Sequence, residues 1–315
     1  MSFVRFGTAI RTPLPVPQSM WFGTEHWLEA WNGDKFDLTD FSGRSGVFIT
    51  RDGLRGMGMP PLARWTTESP ATPGEVWRGH RVKARDVLLP LHIYCETGTN
   101  DYIDWEERLF DALEPTHTFQ WHVRTKRSHR VLTCRFRDDS DHQETFDTPL
   151  RGWDNYAISA VAEDPFWYAA DPVTETWTND AERPFFGGVE GGYGPPFHLT
   201  TGKRMGAAVI RNRGKVAAWP TWRISGPATT ATISVDGVSI DMRHTIAEGD
   251  WVTIDTKPSH RGLFDSTGTF IPGGLARAQF GSVPPGAEVP IGIVVDSAAA
   301  TVSCSLTERF YRARG

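Results

Sequence analysis

The chain has 315 residues, of which 39% are hydrophobic and 12% aromatic, and its formal net charge is only −5. That apolar content is enough for packed cores in two domains or in one large β domain, which excludes global disorder. The weak net charge argues against a whole-surface binder of polyanions or membranes, so we expect neither a membrane nor a specific nucleic acid as partner. The 31 Gly and 22 Pro are spread along the chain and favour many turns between short strands.

Cysteine usage and the N-terminal segment indicate the folding compartment. Cys95, Cys134 and Cys304 are few, odd in number and far apart, so they predict no disulfide framework. Residues 1–17 lack the apolar core of a signal peptide, and no stretch reaches transmembrane length. We therefore expect a protein that folds in a reducing cytoplasm.

Short apolar runs alternate with turn residues in the first third of the chain. Strands are predicted at 46–51 and 62–67, separated by a Gly- and Met-rich loop that ends in Pro60-Pro61. A Gly-containing bend is predicted in the segment that begins at Val76, and a further strand at 86–95. These elements indicate a β-rich N-terminal domain.

One helix stands out, at residues 104–114. Asp104 is predicted as its N-cap, Glu107 as its third residue, and Pro115 as the residue that ends it. Its apolar residues recur at four-residue spacing and form one stripe: Trp105, Leu109 and Leu113. The stripe predicts a helix with one face packed on the domain core.

A hairpin is predicted after the helix. Apolar and polar residues alternate over 119–124 and again over 132–137, and the polar turn residues 125–130 separate the two runs. A further strand is predicted from Asn155 to the prolines at 165 and 172. The alternation predicts one buried face and one wet face.

A domain boundary is predicted after residue 172. Residues 173–202 are polar, then Gly-rich, and show no clear period, which indicates a linker between an N-terminal domain at 1–172 and a C-terminal domain at 203–315. Asp236-Gly237 between two apolar runs predicts a tight hairpin turn. Eight short strands are predicted beyond the linker: 207–211, 220–225, 231–235, 238–242, 251–255, 275–280, 289–295 and 301–310. That spacing without a helix predicts a β-sandwich.

Residues able to perform chemistry are present without a converging pattern. His117, His122, His129 and Cys134 lie close in sequence but not at the spacing of zinc ligands, so they favour turn and wet-face positions. Several carboxylates lie in pairs: Glu106-Glu107, Asp138-Asp139, Asp141 and Glu163-Asp164. Glycoside hydrolysis needs two acids that face each other about 5 to 9 Å apart, and nothing in the sequence singles out such a pair. We expect no catalytic residue, no metal and no cofactor.

Two further features admit more than one function. Trp121 and Phe136 are the aromatic residues near the basic segment 124–137, and they fall on the strand face opposite its basic residues. This favours a charged wet face or a subunit contact over a nucleic-acid groove. The chain has 13 Trp, and exposed Trp can stack on sugars. Trp219 and Trp222 suit either a core or a sugar-binding surface.

The order of several motifs resembles a known family. The segments "NRGKVAAWPTWRISGPATTATI", "IAEGDWVTIDTKPSHRGLFDSTG" and "FGSVPPGAEVPIGI" resemble the C-terminal half of the distal tail proteins of siphophages, which have long, non-contractile tails. The segment "DGLRGMGMPPLARWTTESPATPGEVW", the helix and "AEDPFWYAADP" resemble the N-terminal half. Each motif alone is turn chemistry shared by many β proteins, so the order and spacing carry the resemblance, which spans nearly the whole chain.

The resemblance implies a fold and a role. It implies a mainly β protein with an N-terminal ring-forming β domain that carries one helix, and a C-terminal galectin-like β-sandwich. It implies a non-enzymatic structural protein of the virion, assembled in the host cytoplasm. As partners it implies a homo-oligomer, a hexameric ring, together with the tail tube protein and the tail-tip hub or a tail-associated protein. The alternatives are a carbohydrate-binding module or adhesin, and a β-sandwich glycosidase.

Two methionines are the candidate interface residues of the N-terminal domain. Met57 and Met59 lie in the loop before Pro60-Pro61, where their side chains are hard to bury in the domain's own core. Methionine adapts readily to a partner surface, so we predict that a neighbouring subunit covers them.

Overall fold

The computed structural model describes residues 23–43, 45–50, 53–97, 99–140, 142–143, 147–178, 203–204 and 207–315. The described residues form two compact units. The N-terminal unit contains those up to Pro165 together with Arg314–Gly315, and the C-terminal unit contains Phe166–Ala313. Strands dominate both units, which confirms the mainly β class.

One antiparallel sheet forms the body of the N-terminal unit. The unit's strands are β1 Glu25–Glu29, β2 Lys35–Asp37, β3 Ser45–Ile49, β4 Leu62–Ser69, β5 Thr72–Val82, β6 Arg85–Cys95, β7 Phe119–Arg124, β8 His129–Asp138 and β9 Trp153–Ala162. Seven of them pair in the order β2-β1-β7-β8-β9-β6-β3. Beyond the end of β2, the Leu38 carbonyl accepts a 3.0 Å hydrogen bond from the Ile49 amide of β3, so the two edges nearly close into a barrel.

Period-two alternation explains why these segments are strands. In β6, Val87, Leu89, Leu91 and Ile93 point into the core and are buried. The predicted hairpin forms as β7 and β8, with Trp121 opposite Leu132. The predicted alternation is confirmed for Phe119, Trp121 and Val123, but the prediction of His122 on a wet face was wrong, because His122 packs against Trp27 and is buried.

The helix of the N-terminal unit is longer than predicted. Helix α1 is Thr99–Ala112, so Asp104 lies inside the helix and the prediction of Asp104 as the N-cap was wrong. Tyr102 is buried one turn before the predicted apolar stripe, and this packing extends the helix toward its N-terminus. A second, four-residue helix, α2 Thr148–Arg151, has the Asp147 carboxylate as its N-cap.

A long hairpin replaces the bend predicted near Val76. Strands β4 and β5 pair with each other in a separate two-stranded sheet, joined by a turn at Pro70-Ala71. Gly79, the expected bend residue, lies opposite Trp65 within this ladder, and a β-bulge between Trp65 and Thr66 absorbs the irregularity. We call this hairpin, residues 62–82, the arm.

The C-terminal unit contains the predicted two-sheet sandwich. Its strands are β10 Trp167–Ala169, β11 Val173–Thr178, β12 Lys203–Arg204, β13 Ala207–Arg211, β14 Pro220–Ser225, β15 Ala228–Val235, β16 Val238–Ile246, β17 Trp251–Asp255, β18 Gly262–Phe264, β19 Leu275–Ala278, β20 Glu288–Val295, β21 Thr301–Leu306 and β22 Arg309–Phe310. One sheet has the order β12-β11-β21-β14-β17-β18, and the other β13-β20-β15-β16-β19.

Three predicted features of this unit can be compared with the structure. Asp236 and Gly237 have φ of 49° and 80°, as a type I′ hairpin turn between β15 and β16 requires. The strand predicted at 301–310 is divided, since β22 leaves β21 and pairs with β10. The first six residues of the predicted linker form β11, which pairs with β21, while residues 179–202 lie outside the described residues.

Tryptophans fill the centre of the sandwich. Trp177 and Trp222 are fully buried, with ring centroids 6.2 Å apart. They come from different strands of one sheet and pack against apolar residues of the other. Trp222 is therefore a core residue rather than a sugar platform.

Removal of a core indole should cost far more than removal of an exposed side chain. We expect Trp222→Ala to lower the free energy of unfolding by about 3–5 kcal/mol, because it leaves a cavity in a packed core. Val294→Ala, at a position 66% exposed on the same unit, should change it by less than about 0.5 kcal/mol. Urea unfolding followed by circular dichroism measures both; equal losses would contradict this account of the core.

Candidate assembly surface

The arm exposes large apolar side chains. Trp65 is 52% exposed and Trp77 is 50% exposed, and Leu62 and Val76 are exposed beside them. A two-stranded ribbon is only marginally stable in water without a surface to pack on. The arm therefore has the composition of a segment that is covered in an assembly.

Both faces of the arm expose tryptophan and arginine side chains. Residues that lie opposite each other in a ladder share a face, as do residues two apart on one strand. Arg81 lies opposite Ala63, which is two residues before Trp65, so Arg81 and Trp65 project on the same face. Arg64 and His80 project on the other face, where the guanidinium lies 5.3 Å and the imidazole 5.5 Å from the Trp77 ring. Each face thus combines one exposed Trp with one exposed Arg.

A loop at the base of the arm carries the predicted interface methionines. Met59 is 61% exposed, while Met57 is half-buried. No observation on the described residues tests whether a subunit covers them, so their role stays a prediction.

A buried arginine fixes this loop to the sheet. Arg85 of β6 donates from one guanidinium nitrogen to the carbonyls of Gly56 and Gly58, at 2.6 Å each, and from Nε to the Pro165 carbonyl at 2.8 Å. Burial lowers the pKa of Arg85 to about 10, which leaves it charged at neutral pH. The methionines between and beside these carbonyls are therefore presented on a fixed backbone.

Gly56 is required for the close approach of the loop. Its φ of 109° is a conformation that L side chains rarely adopt. A Cβ there would lie 2.9 Å from Cγ2 of Val87 and 3.3 Å from the Trp121 ring. The glycine at this position lets the loop lie against the sheet.

The basic segment predicted at 124–137 is largely engaged within its own unit. Arg124 forms an ion pair with Glu25, and Arg135 forms one with Glu163 at 2.9 Å. Arg137 lies 3.2 Å from Asp86. These pairs engage three of the six Arg and Lys side chains of the segment, and a fourth, Arg130, is buried, which favours a charged wet face over a nucleic-acid groove.

The candidate histidines lie apart from the cysteine. His122 and His129 share a 3.1 Å hydrogen bond, and His122 stacks on Trp27 with ring centroids 4.7 Å apart. Cys134 is buried in the sheet core, and burial raises its pKa. His117 instead stacks on Trp31. Over the described residues, no group of three His, Cys, Asp or Glu side chains could hold a metal ion.

Three of the candidate carboxylates have partners of their own. Glu106 accepts a hydrogen bond from the Tyr156 hydroxyl, and burial raises the pKa of that tyrosine. Glu163 pairs with Arg135, Asp138 binds the Ser140 amide in a turn, and Asp141 lies outside the described residues. The three described carboxylates therefore have three different partners.

Trp219, the other candidate for a sugar-binding surface, contacts an arginine of its own unit. Trp219 is half-buried, with the Arg309 guanidinium 5.0 Å from its ring centroid, so it packs within its own unit. No helix in the described part of the chain is both long and apolar enough to cross a membrane.

Sequence comparison finds phage tail proteins over half of the chain. No family model matches. The minor tail proteins Gp27 of Mycobacterium phages D29 and L5 are 28% and 26% identical over 160 residues, which are 50% of this chain and 47% of each relative. The chain thus spans about half the length of the curated relatives it matches.

Solved structures match far more of the chain. The Dit (gp 19.1) protein of phage SPP1, described as a paradigm of the hub adsorption apparatus in phages that infect Gram-positive bacteria, matches with a TM-score of 0.58 at 15% identity, over 90% of this chain and 99% of its own. The phage P2 baseplate in its activated conformation with Ca matches with a TM-score of 0.56 at 10% identity, over 90% and 98%.

These structural matches show that the chain has a β-rich fold that also occurs in phage baseplate and adsorption-hub proteins. Within that class, the chain has the fold of the distal tail proteins, as the sequence motifs predicted.

Loss of the arginine anchor should destabilise the N-terminal unit. We expect Arg85→Met to lower its free energy of unfolding by about 2–4 kcal/mol, because three carbonyls lose a charged donor. The amides of residues 53–59 should also exchange hydrogen faster. Arg78→Met is the control, since its exposed guanidinium binds only the Thr67 hydroxyl among the described residues. Unchanged exchange in the Arg85 variant would show that the loop has another anchor.

Buried histidines should make the N-terminal unit sensitive to acid. Burial, with a smaller contribution from Arg314, lowers the pKa of His26 to about 4, against 6.5 in the unfolded chain. Between these values the unfolded chain binds a proton that the folded chain does not, so stability falls as pH drops from 6.5 toward 4, by up to about 3 kcal/mol.

The matched variants for this titration are His26→Phe and His260→Phe. His26→Phe keeps an aromatic ring beside Trp121 and should reduce the pH dependence of the N-terminal unit, whereas His260→Phe changes the C-terminal unit and serves as the control. Urea unfolding at pH 7 and pH 4.5 measures the difference. An unaltered pH dependence in His26→Phe would refute the assignment.

Proposed function

We propose that this protein is a structural, non-enzymatic component of a phage tail tip, where a hexameric ring of it joins the tail tube to the tail-tip hub or baseplate. The likeness to Dit of SPP1 over 90% of the chain is the observation that carries the proposal. The Gp27 minor tail proteins support the same virion location. Its partners are further copies of itself, the tail tube protein and the hub or another tail-associated protein.

The described side chains support a structural role over an enzymatic one. Glu106 and Glu163 are engaged in separate contacts, and the candidate histidines and Cys134 lie apart. Interaction surfaces, in contrast, are well developed in the N-terminal unit, where the arm and the methionine loop expose apolar side chains. Assembly is the function that uses these features.

The N-terminal domain, predicted at residues 1–172, is proposed to form the ring. The contact is head-to-tail, so that one patch of each copy meets a different patch of the next, and it closes when the rotation divides the circle. Met57 and Met59 contribute to this contact on the backbone that Arg85 holds. The C-terminal sandwich, predicted at 203–315, lies outside the ring contact, and its buried Trp222 supports a role without a galectin-type sugar site.

Charge placed on the methionine loop should weaken the ring. We expect Met57→Asp/Met59→Asp to raise the concentration needed for half-assembly by at least about tenfold, because an interface core tolerates unpaired charge poorly. Val294→Asp, at a sandwich position about as exposed as Met59, should leave assembly unchanged.

Sedimentation velocity over a concentration series measures both variants beside the wild type. Circular dichroism establishes that the variants are folded. If the wild type forms rings and the methionine variant assembles equally well, the loop does not lie in the interface. If the wild type stays monomeric, the proposed ring is wrong.

A further inference from the structure

The arm is a basic surface as well as an apolar one. Arg64, Arg78, Arg81 and Lys83 are exposed along the arm and directly after it, and their contacts among the described residues are not carboxylates. The two acidic residues of the arm, Glu68 and Glu75, lie opposite each other near the tip. The base of the arm therefore presents unpaired cations beside Trp65 and Trp77.

Helix α1 presents the opposite charge. Its exposed carboxylates form one stripe along the outer side of the helix: Asp101, Asp104, Glu107 and Asp111. The cation within the stripe, Arg108, forms a 2.8 Å ion pair with Asp34. No cationic side chain among the described residues pairs with the stripe carboxylates. The surface thus keeps its negative charge.

An exposed tryptophan lies beside this acidic stripe. Trp31 is 50% exposed, and its indole nitrogen donates to the Asp111 carbonyl at 3.2 Å. The ring of His117 stacks on it at 4.0 Å and fixes its orientation. The stripe with Trp31, which we call the α1 face, therefore combines aromatic surface with anions, while the arm combines aromatic surface with cations.

We propose that the arm of one copy docks on the α1 face of the neighbouring copy. The proposal rests on the ring proposed above and names the two surfaces that make its head-to-tail contact. Opposite charges meet, so the ion pairs set the register, and Trp31 together with the tryptophan on the docked face of the arm supplies the apolar area. Because the two surfaces differ, each copy gives its arm to one neighbour and receives an arm from the other.

The dimensions of the two surfaces agree. The eight residues of β4 span about 26 Å at the rise of an antiparallel strand. The 14 residues of α1 span about 21 Å at the rise of a helix. An arm laid along the helix therefore covers its full length, and both surfaces also fall within the N-terminal unit to which the ring is assigned.

Charge reversal with rescue tests the pairing. The arm variant Arg64→Glu/Arg81→Glu reverses one cation on each face of the ribbon, so it acts whichever face docks. The helix variant Asp104→Lys/Glu107→Lys reverses two exposed carboxylates. We expect each double variant of the full chain to raise the half-assembly concentration at least about tenfold, and the combined four-substitution variant to recover most of the loss.

Sedimentation velocity at two salt concentrations gives the readout, with Arg211→Glu/Arg243→Glu on exposed sandwich positions as the matched control. Two results would overturn the pairing when the wild type still forms a ring. One is a four-substitution variant that assembles no more readily than the double variant with the greater loss, and the other is a double variant whose half-assembly concentration is unchanged. A wild type that is monomeric throughout would instead overturn the proposed function, and the pairing with it. Circular dichroism of every variant separates these results from misfolding.

Discussion

The arm exposes tryptophan side chains that a single copy of the N-terminal unit does not cover. A two-stranded ribbon has two faces, and here each face carries a half-exposed Trp, Trp65 on one and Trp77 on the other. Placing such side chains in water is unfavourable, at roughly 25 cal/mol per Å² of apolar surface. A chain that retains this arrangement gains stability when another surface covers the ribbon, so association follows from the composition of the arm rather than from any single contact.

The rest of the N-terminal unit holds the arm and its loop in place. The nearly closed sheet supplies a stiff body, and β5 leads directly into β6, the strand whose apolar residues are most deeply buried. Arg85 lies at the first residue of β6 and binds the loop that precedes β4. Both ends of the arm are therefore anchored in the same strand region, which lowers the entropy that a partner must remove on binding.

Several elements of the fold could be predicted from the sequence, because the residue patterns that specify them are local. The hairpin β7–β8 could be predicted because a buried face requires apolar residues at every second position. The Asp236-Gly237 turn could be predicted because a positive φ favours particular residue types. The order of the turn motifs also predicted the distal tail protein fold, which the structural matches confirm. The exposed Met59 followed from the same local reasoning, although its role in assembly stays a prediction.

Other features could not be predicted, because they depend on contacts distant in sequence. In the arm, the strand at 62–67 was predicted but β5 was not, because the exposed residues of β5 show no period and Gly79 favours a bend over a strand. The start of α1 depends on the packing of Tyr102, and the anchor of the methionine loop depends on Arg85, which looks like any surface arginine until it is found buried. Trp219 and Trp222, only three residues apart, are distinguished by their strand environment and not by their sequence context.

The mass of the wild-type protein in solution tests the central claim most directly. Sedimentation velocity or native mass spectrometry at physiological salt measures it without any substitution. The account predicts a closed species of about six times the 35.1 kDa of one chain, with few intermediates, because an open head-to-tail chain lacks the closing contact. A single species at the mass of one chain across the accessible concentrations would contradict it.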